Sequence, residues 1–407
     1  MIEINNSFFF EKKGLDLNNS TNFKKKSELS KKCSDELLNE FKNDKNDILK
    51  SFTKSYQFKI RSLKQKIDFK KKQKVVIGIG GSSSGAKALS FFMNDDTIFF
   101  DNLDYDFLIK FFNKNSIENF FFFVISKSGD TFETLAILNI LIQKYKNQEK
   151  SLHDLYKSMV IITESKDSIL KNFSLRNDIK LIEHNPNIGG RYSILSETGM
   201  LPFLDLNLEI ERGSEKYINF LTEDHDKSPT RNVAILATII EEMKLSIYCN
   251  LIYNYRLKHF SYWFHQLHAE SLGKKNTGLT PITSICPKDH HSMMQLYLDG
   301  PKNKVFNIFS PSIENLFKNF DNLGFYNIEN YTPTDLLTKQ FEAVVEVFKE
   351  KKIPHRVIKI DDYKNPLNLI ELFSYFLLET ILLGKVLGVD PYNQPAVQLI
   401  KNKIFKN

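Results

Sequence analysis

The stretch Phe120-Phe121-Phe122-Phe123-Val124-Ile125-Ser126-Lys127-Ser128-Gly129-Asp130-Thr131 decides the fold. Its first six residues are unbroken by any polar side chain. A strand with one wet face alternates, so this run predicts a strand covered on both faces. A hydroxyl-rich turn follows, and apolar residues at helical spacing predict a helix over 131–145. Buried strand, short turn and covering helix are the repeating unit of a doubly wound parallel sheet.

The same unit recurs on both sides. Val75-Val76-Ile77 with Ile79 predicts a strand, and residues 85–93 a helix. Residues 97–100 and 160–162 are strand-like, and 105–112 are helix-like. A second cycle begins near 213, with helices expected over 232–248, 260–273, 334–351 and 368–387, and strands over 305–309 and 355–360. Before the first strand, Leu37, Leu38, Phe41, Ile48, Leu49 and Phe52 give a helical N-terminal layer. The 407 residues exceed one average core, so two packed α/β domains with a cleft are expected. The expected division is 1–72 helical, 73–212 first domain, and 213–407 second domain with a C-terminal helix and tail.

Composition narrows the class. Hydrophobic residues make up 42% and charged residues 26%, as in globular proteins. The net charge of +7 comes from lysines scattered along the chain, which reads as a solvated basic face. Nucleic-acid binding would call for a denser basic stripe interleaved with aromatics. Cys33, Cys249 and Cys286 follow no metal or redox spacing and are expected as buried free thiols in a reducing compartment. No signal-peptide pattern opens the chain, and no apolar run reaches the ~20 residues of a membrane span. The expected setting is soluble and cytoplasmic.

Two turns carry chemistry. Gly78-Ile79-Gly80-Gly81-Ser82-Ser83-Ser84-Gly85 joins a strand to a helix but has neither dinucleotide nor P-loop spacing. Its glycines allow close backbone approach, and hydroxyls at a helix N-terminus suit an anion. It also reads as a plain tight turn. Ser126 to Thr131 reads as a phosphate cradle with Lys127, or as an N-cap with Glu133 in the first turn. Two such turns in one sheet favour the phosphate.

The strand ending in Ser126-x-Ser128-Gly129-x-Thr131 resembles the signature of the sugar-isomerase fold. Lys127 narrows the resemblance to the phosphoglucose isomerase family, and Gly78 to Gly85 resembles that family's Gly-Ile-Gly-Gly-Ser segment. Four further segments match in order. They are Gly189-Gly190-Arg191-Tyr192-Ser193, Gln266 through Glu270-Ser271 to Gly273-Lys274, Asp289-His290-His291-Ser292 with Gln295-Leu296, and Asn393-Gln394-Pro395-Ala396-Val397 with Lys401.

The resemblance implies two doubly wound, mainly parallel sugar-isomerase domains, and cofactor-free, metal-free interconversion of glucose 6-phosphate and fructose 6-phosphate through an enediol. Glu270 would move the proton between C1 and C2, and Arg191 would stabilise the enediolate. His291, reaching the site from a neighbouring subunit in a homodimer, would open the ring with Lys401. Gly81, Ser82, Ser126, Lys127, Ser128, Thr131, Gln266 and Gln394 would bind phosphate and substrate. Taken alone, Glu270 also reads as a surface acid paired with Lys274 at i+4. Asn393, Ala396 and Gln398 depart from the family's terminal motif, and Asp130 puts an acid in the phosphate loop. Two rivals stand beside this reading: an isomerase that also accepts mannose 6-phosphate, and a non-catalytic phosphosugar-binding regulator. The regulator would lack the Glu270, His291 and Lys401 set.

Overall fold

The computed structural model describes residues 2–6, 20–69, 72–203, 214–222, 228–312, 331–401 and 403–404. The chain divides into two compact units. One is continuous, Phe41–Glu215, and the other combines Met1–Glu40 with Lys216–Asn407. The division falls inside the first helix, Thr21–Lys42, of the N-terminal helical stretch.

Among the described residues, ten strands build two sheets. The first, β1 (Ile2–Asn5), belongs to the discontinuous unit. The continuous unit holds β2 (Gln73–Ile77), β3 (Ile98–Phe100), β4 (Phe120–Ile125), β5 (Met159–Thr163) and β6 (Lys180–Glu183). They pair in parallel in the order β3-β2-β4-β5-β6. β4 is buried along its whole length, as its composition predicts. Phe120, Phe122 and Val124 pack with Phe112, Ile137 and Leu141 on one face. On the other, Phe121 and Phe123 meet Phe69 at ring distances of 5.0 and 5.6 Å. Burying each such side chain contributes about 1.5–3 kcal/mol. The strand order reverses between β2 and β4, and a doubly wound sheet opens its ligand crevice at the carboxyl ends flanking that reversal. The two hydroxyl-rich turns sit there.

The discontinuous unit adds β7 (Ile247–Ile252), β8 (Thr280–Ile285), β9 (Lys304–Phe309) and β10 (His355–Ile360), in the order β1-β10-β9-β7-β8. All pairs are parallel except β1 with β10. The helix expected over 232–248 is corrected: it spans Pro229–Glu242 and gives way to β7. Lys244 takes a left-handed φ of 52°, which ends the helix, and the apolar residues from Ile247 instead fill a central strand.

Helix Pro366–Val386 is long and apolar enough by length and composition to cross a membrane, with 94% of its most apolar window buried inside the protein. Glu371, Glu379 and Lys385 break the run in sequence. Glu379 forms a bidentate pair with the fully buried Arg356, at 2.6 and 2.7 Å, which Tyr248, Tyr375 and Asn307 complete. A buried charge needs such partners, and these satisfy it. Cys33, Cys249 and Cys286 are buried and free.

Candidate active site

In the continuous unit, three turns meet at the carboxyl edge of β2 and β4. Ser126, directly after β4, is buried, and its hydroxyl shares a hydrogen bond of 2.9 Å with Thr131 and accepts the Gly129 amide at 3.1 Å. The Ser128 hydroxyl accepts the Asp130 amide at 3.2 Å. Gly129 has φ of +75°, and a Cβ there would overlap the Ser168 side chain, so only glycine closes this loop without strain. The loop opens helix Phe132–Lys146, whose N-terminal end favours an anion. Asp130 is turned outward: it is exposed, and its carboxylate accepts the Ile169 amide at 2.9 Å.

Lys127 donates to the Pro186 carbonyl at 2.7 Å and lies 3.7 Å from Glu164. Burial pulls its ammonium below the usual lysine range, Glu164 partly offsets this, and Lys166 and Arg191 push the same way as burial. Arg191 is thus close enough to be felt electrostatically. It is 1% exposed and lies over the Tyr192 ring at 4.9 Å. The turn before it presses on the first glycine turn: a Cβ on Gly81 would overlap the Gly190 backbone. Ser193 stands at the contact, its hydroxyl 2.7 Å from Gly190 O in its own turn and 3.3 Å from Gly81 O across it. Gly81, Ser82, Ser126, Lys127, Ser128, Thr131 and Arg191 therefore belong to one neighbourhood of this unit.

The discontinuous unit holds Glu270. Helix Lys258–Leu272 joins the end of β7 to the start of the parallel β8, so it must run back along the sheet. Its last turn, and Glu270 with it, lies at the amino edge of these strands, opposite to the edge used in the first sheet. Gln266 donates to Glu270 at 2.9 Å, as their i, i+4 spacing predicts. Glu270 lines an open cavity of about 630 Å³ with Lys274, Asp390, Gln394 and Val397. Lys274 donates to the carbonyls of Ser271, at 2.8 Å, and Asp390, tying the helix end to the cavity's far wall. Asn393 donates its amide to Asp390 at 2.7 Å and so fixes the bend before Gln394.

His291 stands exposed in the first turn of helix His290–Asp299. His290 is half-buried and shares a hydrogen bond of 2.6 Å with the Tyr253 hydroxyl, a structural role. Lys401 ends helix Pro395–Lys401, and its side chain lies outside the described residues.

Against known proteins, the family model of phosphoglucose isomerase matches residues 36–284, well over half of the chain. The glucose-6-phosphate isomerase of Campylobacter jejuni is 32% identical over 364 residues, covering 82% of this chain and 84% of that protein. The chain belongs to the phosphoglucose isomerase family.

Other members of the phosphoglucose isomerase family agree. The glucose-6-phosphate isomerase of Methanocaldococcus jannaschii is 27% identical over 335 residues, covering 80% of this chain and 81% of that protein. Among solved structures, a hypothetical protein of Thermus thermophilus shares the fold with a TM-score of 0.83 at 24% identity, covering 99% of this chain and 98% of that one. A glucose-6-phosphate isomerase from Chlamydia trachomatis does so at 0.72 and 20% identity, covering 86% and 72%.

Three polar residues around the Arg191 turn escaped the sequence reading. His184 and Glu197 form a buried pair at 2.8 Å, and Tyr56 donates to Glu197 at 2.8 Å. Neither acid nor histidine belongs to a motif; the two stand at the ends of the segment that carries Arg191, and Tyr56 lies 141 positions from Glu197. Only folding brings them together.

Proposed function

We propose that this chain interconverts glucose 6-phosphate and fructose 6-phosphate through an enediol intermediate, in glycolysis and gluconeogenesis. Family membership supports the reaction. The observation that carries the assignment of the base is Glu270, oriented by Gln266 and facing a cavity that also contains Gln394. Carboxylates so placed serve as proton shuttles when a cation balances the charge developing on the substrate.

In this reading the hydroxyls of Ser82, Ser126, Ser128 and Thr131, with Lys127 and the Gly81 amide, hold the phosphate. His291 and Lys401 open the ring. Glu270 then takes the C2 proton of the open aldose, electrons shift from the C2–H bond to form the C1–C2 double bond, and negative charge appears on the C1 oxygen. Arg191 stabilises that enediolate. As the hydroxyl proton passes from O2 to O1, return of the carbon-bound proton to C1 yields the ketose. Gln394 contacts the sugar hydroxyls. The exposed position of His291 suits a histidine given to a second copy, so we propose a homodimer in which each site borrows it from the other subunit. The reaction is placed in the cytoplasm, where buried free thiols stay reduced; activity confined to another cell fraction would contradict this.

One coupled assay, from fructose 6-phosphate to glucose 6-phosphate read by its dehydrogenase, tests these roles. Glu270→Gln is expected to lose about 10³-fold or more in kcat, as removal of a central acid–base group does. His291→Ala should be similarly poor. Subunit exchange between the two inactive proteins should restore about a quarter of wild-type activity, because half the dimers then carry one intact site. Full activity of Glu270→Gln removes the base, and no recovery after proven exchange removes the shared histidine. A mannose 6-phosphate arm measures breadth of specificity.

A further inference from the structure

We infer that the Glu197–His184 pair is a positioning device for the Arg191 turn, an inference that rests on reading Arg191 as the cation facing the enediolate.

His184 follows β6 directly, and its amide donates to the Thr163 carbonyl at 2.8 Å, which anchors it to the sheet. Its ring is 2% exposed. Nε2 stands 3.0 Å from the Ile188 carbonyl and Nδ1 stands 2.8 Å from Glu197 Oε1. A carbonyl oxygen only accepts, so Nε2 carries a proton. Glu197 Oε1 also accepts the Asn185 amide at 2.8 Å, and Oε2 accepts the Tyr56 hydroxyl, so this carboxylate acts as an acceptor throughout. Nδ1 therefore carries a proton too. Thr198, 3.1 Å from Nδ1, completes the ring's surroundings. Burial works to raise the Glu197 carboxyl, but the His184 bond and charge and the Asn185 amide outweigh it and hold the group below the usual range.

The pair thus ties the two ends of the segment that carries Arg191. His184 stands at its start, and Glu197 opens the short helix Glu197–Met200 at its end. The Ile188 carbonyl that Nε2 holds belongs to the residue just before Gly189-Gly190-Arg191. Desolvating two charges nearly cancels their attraction, so such a pair adds little net stability. What it fixes is where the turn sits. Displacing a reacting or charge-stabilising group by about 1 Å costs on the order of 10²-fold in rate.

The test measures kcat, KM and the thermal midpoint for Glu197→Gln, Tyr56→Phe and Arg191→Lys, and for Glu197→Gln combined with Arg191→Lys. Glu197→Gln should fold and lose about ten- to a hundredfold in kcat, with KM moving less than about threefold, because the phosphate cradle is intact. Tyr56→Phe should shift kcat the same way by a smaller factor. In the Arg191→Lys background, Glu197→Gln should cost less than about threefold, since the group it positions is gone. Wild-type kcat in folded Glu197→Gln, or losses that multiply in the double variant, would overturn the inference. Wild-type kcat in Arg191→Lys would instead sink the reading of Arg191. If Glu197→Gln does not fold, Tyr56→Phe decides: reduced kcat at constant KM supports the device, and wild-type kcat overturns it.

Discussion

Acid should weaken the unit that carries Glu270 through a histidine two residues before it. His268 is fully buried against the rings of Tyr248 and Phe264, at 5.2 and 5.4 Å, and its Nε2 has no hydrogen-bond partner. Desolvation, helped by the charge of His265, drops the ring from 6.5 to about 3. The folded value is the depressed one. Stability from the buried neutral ring is therefore complete above 6.5 and is lost as pH falls from there towards 3. Between pH 7 and 5 the unfolded chain takes up about three quarters of a proton at this site and the folded chain almost none. Linkage then gives about 2 kcal/mol, at about 1.36 kcal/mol per pH unit fully engaged. His355, lowered to about 4 chiefly by desolvation, contributes about as much again. Urea denaturation followed by circular dichroism at both pH values, at constant ionic strength, is the assay. His268→Leu, which fills the site without titrating, should show a pH-dependent loss smaller than wild type by about 2 kcal/mol. By NMR, the His268 ring should not titrate between about pH 8 and 5. A loss equal in the two proteins within about 0.5 kcal/mol, or a ring that titrates near about 6.5, would refute the reasoning.

Two more substitutions follow from the packing. Gly81→Ala drives a methyl into the Gly190 backbone, so kcat/KM in the coupled assay should fall at least about tenfold; wild-type kinetics would mean that the two turns part freely. Glu379→Leu leaves the Arg356 guanidinium buried without its charge partner and should cost about 3–5 kcal/mol in urea denaturation, much of it recovered by adding Arg356→Met. A cost under about 1 kcal/mol would mean that water reaches the guanidinium.

What could be read from the sequence was local. β4 and its serine turn were legible because an unbroken apolar run has one reading when a hydroxyl-rich turn and a helical pattern follow. Gln266 and Glu270 were legible as a same-face pair because helix geometry fixes their spacing. β7 was not, because only the short stretch Met243 to Ser246, with the left-handed Lys244 in it, separates Ile247 to Ile252 from the preceding helix. β6 and β8 are edge strands with partly exposed residues, so their composition carries little signal. The long helix Pro366–Val386 was read by its interruptions, whereas the partner that makes Glu379 tolerable is 23 positions away on β10. The two hydroxyl-rich turns stand at the carboxyl ends of their strands, whereas Glu270 stands at the opposite edge of its own sheet, because a helix linking parallel strands necessarily ends there.

The antiparallel pairing of β1 with β10 has a consequence for synthesis. Ile2 meets Ile360, so the first of the described strands waits for the last before it finds its neighbour. Phe41–Glu215, by contrast, has all five of its described strands as soon as residue 183 has left the ribosome. Domains tend to fold as units during translation. The continuous unit should therefore be native and protease-resistant on stalled nascent chains that still lack the rest of the discontinuous one.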